Sequence, residues 1–131
     1  MAKIIHSMIR VLDLDKSMRF YGGVLGLRES HRLDFPDFTL VYLRCPESGF
    51  EIELTLNKGR EEPYTHGTGY GHIAIVAPDV PAFHAELLKK GYEPAPVKEF
   101  KRGDELLARF FFIQDPDGYK IEVLEQHGHY R

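Results

Sequence analysis

The sequence predicts an α+β protein made of two tandem βαβββ modules, and two observations carry that prediction. Gly49-Phe50-Glu51-Ile52-Glu53-Leu54 and Gly118-Tyr119-Lys120-Ile121-Glu122-Val123 agree at the glycine, aromatic, isoleucine, glutamate and aliphatic positions at a spacing of 69 residues (118 − 49). Upstream of each copy lies an apolar strand with one histidine, His6 or His72, and these are separated by a similar 66 residues (72 − 6). Self-similarity at a fixed period marks a repeated supersecondary unit that cannot bury its apolar face alone.

Each element follows from local pattern. Residues 3–11 read as a strand, and residues 15–25 as a helix entered from Asp13 or Asp15 and ended by Gly26. Leu27 to Leu33 and Phe38 to Arg44 are β-rich and divided by the turn Asp34-Phe35-Pro36-Asp37; Phe50 to Leu56 follows the turn Pro46-Glu47-Ser48-Gly49. A polar, glycine-containing linker at 58–69 separates this module, about 1–57, from a second at about 70–125. There the order returns as a strand at 70–77, a helix at 81–90 after Pro78-Asp79, and a strand near 92–98. Leu106 to Gln114 and Tyr119 to Glu125, joined by Asp115-Pro116-Asp117-Gly118, complete it. The polar tail Gln126 to Arg131 is expected to fray.

A chain of 131 residues suits one domain, whereas one half would be marginal alone. With 43% apolar and 28% charged residues and a formal net charge of −3, it reads as an ordinary soluble globular protein. No basic stripe is available to neutralise a phosphate backbone, so nucleic acid is not expected as a partner. No apolar run approaches the roughly 18 residues that span a bilayer, and no membrane association is expected. The single Cys45 cannot form an internal disulfide and fits a reducing compartment, with the cytoplasm as default. The expected partners are a small molecule or a second copy of the chain.

Side chains alternate across a strand, so i, i+2 and i+4 share a face. In the first strand His6 shares a face with Ile4, Met8 and Arg10; in the strand closing the first module Glu53 shares one with Glu51, Thr55 and Asn57. His72 lies opposite Ile73 and Ile75, and Glu122 opposite Ile121 and Val123. Each candidate thus projects away from an apolar face, and the recurrence of His with Glu in both modules is more order than solvation requires. Two imidazoles and two carboxylates form an N2O2 donor set suited to Ni, Zn, Co, Fe or Mn rather than to thiolate-selected copper. Waters would complete an octahedron, and a substrate with two adjacent oxygens could displace them. Lewis-acid stabilisation of an enediolate would then permit proton abstraction beside a carbonyl.

The strings His6-Ser7-Met8-Ile9-Arg10-Val11, Phe20-Tyr21 leading into Val24-Leu25-Gly26, Ile52-Glu53-Leu54-Thr55 with Asn57, Tyr70-Gly71-His72-Ile73-Ala74, and Asp115-Pro116-Asp117-Gly118-Tyr119-Lys120-Ile121-Glu122 resemble the glyoxalase I family of the vicinal oxygen chelate superfamily. The resemblance covers nearly the whole chain and implies mixed sheets curved around a metal site. It implies isomerisation of the hemithioacetal of methylglyoxal and glutathione to S-lactoylglutathione through a metal-bound enediolate. By it, His6, Glu53, His72 and Glu122 would hold one divalent metal, and Arg10 and Asn57 the γ-glutamyl end of glutathione. Glu122 would be the carboxylate that leaves the metal to move a proton, with Glu53 serving the other substrate enantiomer. Lys98, Lys101 and Arg102, in the loop before the penultimate strand, compete to meet the glycyl carboxylate. The absence of tryptophan resembles the compact bacterial type, with nickel or cobalt favoured and zinc as the alternative. The family also forms homodimers in which the first half of one chain pairs with the second half of the other.

Glu53 argues against related chemistries on the same scaffold. Extradiol dioxygenases and fosfomycin-modifying transferases usually use three ligands, acyl-CoA epimerases usually carry glutamine there, and bleomycin-binding proteins lack the ligands. Gly67-Thr68-Gly69-Tyr70-Gly71 misplaces the third glycine for a nucleotide loop and precedes a strand. His31, His66 and His84 lack a matched carboxylate, His127 and His129 sit in the tail, Cys45 reads as a small buried residue, and Phe20, Tyr21 and Phe83 as helix core.

Overall fold

Duplication is directly visible in the computed structural model, which describes all 131 residues: Met1–Thr65 and His66–Arg131 form separate units with the same order of elements. The first unit runs β1 (His6–Val11), α1 (Leu14–Leu25), β2 (Arg28–Asp34), β3 (Phe38–Arg44) and β4 (Glu51–Asn57). Asp13 caps α1 by accepting the Lys16 N–H at 3.0 Å. Gly26 ends the helix at φ 70°, a left-handed conformation that disfavours any residue with a Cβ. The sheet order is β1-β4-β3-β2, with β1 parallel to β4 and the other pairs antiparallel. A parallel neighbour needs a crossover, and the helix with the β2–β3 hairpin supplies it.

Alternation then divides the sheet cleanly. Ile9, Val11, Val41, Leu43, Ile52 and Leu54 are buried, together with Leu14, Phe20, Tyr21 and Val24 from one stripe of α1. His6, Met8, Arg10, Tyr42, Glu51 and Glu53 alternate with those residues and occupy the opposite face.

The second unit runs β5 (Ile73–Ala77), α2 (Val80–Lys89), β6 (Lys98–Arg102), β7 (Glu105–Gln114) and β8 (Lys120–Glu125), in the sheet order β5-β8-β7-β6 with β5 parallel to β8. Asp79 caps α2 by accepting the Ala82 N–H at 2.9 Å. Glu125 accepts the Val80 N–H at 3.0 Å and pairs with Arg109 at 2.6 Å, which ties the start of α2 to β7 and β8. Val80, Leu87, Phe111, Ile113, Ile121 and Val123 are buried at the centre of this unit. Asp115 organises the β7–β8 turn, its carboxylate accepting the N–H groups of Asp117 at 2.9 Å and Tyr119 at 2.8 Å.

The fold class and element order are as predicted, but several positions differ. The strand expected near 92–98 is instead Lys98–Arg102. Pro94 and Pro96 have no N–H to give a ladder, and between them only the Ala95 N–H reaches β7, bonding the Phe112 carbonyl at 2.8 Å. Lys98, Lys101 and Arg102 consequently lie on a strand rather than in a loop. β1 and β5 begin at His6 and Ile73, three residues later than expected in each case, so His72 precedes its strand. The tail does not fray: His127 and Tyr130 bridge each other, and the His127 ring meets the Leu106 carbonyl at 2.9 Å. Segment 58–69 is divided between the units, with Lys58 to Thr65 in the first and His66 to Gly69 in the second.

Two substitutions grade these contributions. Leu54→Ala, at a fully buried position, is expected to lower unfolding stability by about 2–5 kcal/mol through transfer and cavity terms. Asp13→Ala, which removes one cap, is expected to cost about 1 kcal/mol. Urea denaturation measures both, and a larger loss for the cap would contradict a core centred on β4.

Candidate metal centre

The parallel pairs set the histidines beside the glutamates in the same way in both units. Met8 lies opposite Glu53, and Ala74 opposite Glu122. His6 and His72 each stand two residues before that partner, on the same face as the glutamate. His6 Nε2 is 3.9 Å from Glu53 Oε1, and His72 Nε2 is 2.6 Å from Glu122 Oε2. The glutamate side chains are only 12% and 17% exposed and the histidines 35% and 42%, so each pair is rooted in the sheet and opens outward at its imidazole.

Tyr42 lies opposite Glu53 on β3, and its hydroxyl donates to Glu53 Oε1. The phenol is held above its ordinary pKa chiefly by that hydrogen bond, with burial adding to it; losing the proton would set a phenolate beside a carboxylate. Thr55 Oγ1 donates to the other Glu53 oxygen at 3.2 Å. The Tyr42 ring meets His6 edge-on, with centroids 5.6 Å apart and planes at 79°. In the second unit Phe112 lies opposite Glu122 and meets His72 edge-on at 5.4 Å and 80°. Glu51, also on the site face, is engaged by Arg44 at 3.2 Å and by the Ser30 hydroxyl.

The other candidate residues divide by what holds them. Arg10 lies opposite Thr55, on the face of His6 and Glu53. Asn57 Nδ2 donates to the Tyr64 hydroxyl at 3.0 Å, and the Arg60 guanidinium lies 4.0 Å over the Tyr64 ring while bonding the carbonyls of Glu62 and Pro63. Lys101 pairs with Glu99 at 3.3 Å and Arg102 with Glu105 at 3.0 Å. Lys101 and Arg109 hold the Glu99 carboxyl below its usual range. Lys98 makes no such pair and lies opposite Phe110, on the Phe112 and Glu122 face of the sheet. A cavity of about 570 Å³ lined by Tyr92, Phe112, Gln114 and Lys120 adjoins the ring that packs on His72.

Sequence reasoning missed the hydroxyls of Tyr42 and Thr55 as partners of Glu53, the ring of Phe112 beside His72, and Tyr64 behind Asn57. Tyr42 and Phe112 are recoverable only with the register of the β3–β4 and β7–β8 hairpins, which place them directly across from the glutamates.

The donor chemistry fits a divalent metal ion. Each unit offers one imidazole nitrogen and one carboxylate, with no lysine or arginine paired to either carboxylate. No third His, Cys, Asp or Glu gathers around either pair. Each unit by itself therefore offers two donors.

Comparison with known proteins agrees with this pattern. The family model of the Glyoxalase/Bleomycin resistance protein/Dioxygenase superfamily matches residues 3–123. The chain is 44% identical to lactoylglutathione lyase of Haemophilus influenzae over 131 residues, covering 94% of this chain and 92% of that protein. It is 38% identical to the probable lactoylglutathione lyase of Synechocystis sp. over 130 residues, 93% of this chain and 94% of that protein. The structure of Leishmania major glyoxalase I, described as trypanothione-dependent, superposes with a TM-score of 0.77 at 38% identity, covering 96% of this chain and 88% of that one. Glyoxalase I of Zea mays gives a TM-score of 0.81 at 33% identity over 93% of this chain and 44% of that one. With the repeated β-sheet units and their matched His–Glu pairs, a family match spanning both units means that the chain belongs to the Glyoxalase/Bleomycin resistance protein/Dioxygenase superfamily.

Proposed function

We propose that the protein is a lactoylglutathione lyase, isomerising the hemithioacetal of methylglyoxal and glutathione to S-lactoylglutathione. The observation that carries this reading is the His–Glu pair repeated at equivalent register in both units. His6, Glu53, His72 and Glu122 would hold one divalent metal, nickel or cobalt in preference to zinc. Bound there, the ion supplies Lewis acidity that stabilises charge developing on two adjacent substrate oxygens.

The chain's own residues do the rest. The carboxylate of Glu122 takes the proton from the substrate carbon bonded to sulfur and delivers it to the neighbouring carbon, while the hydroxyl proton passes between the two oxygens. No atom is gained or lost, so no oxidant or reductant is needed. A base positioned in this way contributes about 10² to 10⁴ in rate. Arg10 and Asn57 hold the γ-glutamyl end, and the hydrogen bond from Asn57 to Tyr64 fixes its amide. Of Lys98, Lys101 and Arg102, Lys98 is the one free of an ion pair and is assigned the glycyl carboxylate. The cavity beside Phe112 has a volume within the usual range of ligand pockets and accommodates part of the thiol.

The functional protein is a single-domain homodimer whose two sites each take His6 and Glu53 from one chain and His72 and Glu122 from its partner. A twofold axis makes such sharing reciprocal. No helix is long and apolar enough to cross a membrane. The lone Cys45 supports a cytoplasmic setting.

Chelator treatment is expected to abolish the rise in thioester absorbance, and nickel or cobalt to restore it more fully than zinc; full activity in the stripped protein would refute the metal reading. Mixing Glu53→Gln with Glu122→Gln chains tests sharing, because each mixed dimer regains one intact site. Failure of the mixture to exceed either variant alone would exclude shared sites.

A further inference from the structure

Glu53 and Glu122 occupy equivalent places but have different surroundings. Met8 and Ala74 oppose them on one side, Tyr42 and Phe112 on the other. The two rings meet His6 and His72 in nearly the same edge-on geometry, at 79° and 80°. The difference lies in the hydroxyls. Tyr42 donates to one oxygen of Glu53 and Thr55 to the other at 3.2 Å. Two residues beyond Glu122 stands Leu124 in place of a threonine, and across from it Phe112 in place of a tyrosine. Neither side chain can donate, and Glu122 is met by His72 alone.

Building on the metal site proposed above, we propose that Tyr42 and Thr55 are positioning residues that hold Glu53 as a fixed ligand and so leave proton movement to Glu122. A carboxylate with both oxygens held by donors from its own sheet has an orientation set before any metal or substrate arrives. A carboxylate flanked by Phe112 and Leu124 has no donor from β7 or β8 to break when it swings toward the substrate, and its one partner, His72 Nε2 at 2.6 Å, is the imidazole that the proposed site gives to the metal.

Exchanging the hydroxyl between the halves tests this in the full-length protein. Cobalt affinity is read by competition with a chromophoric chelator, the ligand field by the visible spectrum of the cobalt-loaded protein, and turnover by kcat and KM separately. Tyr42→Phe is expected to weaken cobalt binding about 10- to 100-fold, the range for loss of a group that orients a metal ligand, and to alter the cobalt spectrum. Phe112→Tyr is expected to keep wild-type cobalt affinity or better and to lower kcat with KM little changed, because Glu122 acquires a tether. Opposite responses to reciprocal exchanges are not produced by general destabilisation. Thr55→Val, which removes the second donor at constant shape, carries the same expectation as Tyr42→Phe should that variant fail to fold. Wild-type cobalt affinity in the folded Tyr42→Phe or Thr55→Val variant, or wild-type kcat in Phe112→Tyr, overturns the inference. Glu53→Gln separates the two levels: if it binds cobalt normally the metal site itself is wrong, and if it binds weakly while Tyr42→Phe binds normally, only the tether is wrong.

Discussion

Parallel pairing between the first and last strands of each unit fixes which side of the sheet receives which side chains, because partners across a parallel ladder project to the same face. With Met8 across from Glu53, Ile9 and Val11 join Leu54 beneath the helix while His6 joins Glu53 on the other side. A slip of one residue would bury His6 and lift Ile9 into the site, exchanging apolar burial for a desolvated imidazole. The core and the chemistry are therefore held by one register. The same holds in the second unit, where Ala74 across from Glu122 sends Ile121 and Val123 into the core.

Duplication of that register gives two equivalent donor pairs, and later divergence of the flanking side chains makes them unequal. Equal scaffolds need not have equal mobility. In one unit aromatic and β-branched positions carry hydroxyls that reach the carboxylate; in the other, the same positions are filled by hydrocarbon. An enzyme that must hold an ion and also move a proton has two incompatible requirements of its carboxylates, and a repeat offers a simple way to divide them.

The fold was legible because short β-rich runs were separated by unambiguous turn signals, and the His–Glu pairs because they occurred twice. Single occurrences were less readable. Pro94 and Pro96 delayed β6 past the β-prone residues around Tyr92, which local propensity alone does not weigh against a missing backbone donor. Lys98, Lys101 and Arg102 were equivalent as cations, and only the pairs that Lys101 and Arg102 make with Glu99 and Glu105 distinguish them. Tyr42 looked like one more strand aromatic, since its partner is defined across a hairpin and not along the chain.

The outer strands have a consequence for life in a crowded solution. β2 reads Arg-Glu-Ser-His-Arg-Leu-Asp and β6 reads Lys-Glu-Phe-Lys-Arg, and every residue of both is exposed at the open margin of its sheet. An incoming strand would have to bring its own backbone alongside a row of mixed charges and strip their hydration before any ladder could form. β5, Ile-Ala-Ile-Val-Ala, forms the opposite margin of the second sheet and carries no charge at all. Resistance to runaway fibre-like stacking is thus built into the charged border of each sheet, and in the second sheet it does not extend to the border that β5 forms.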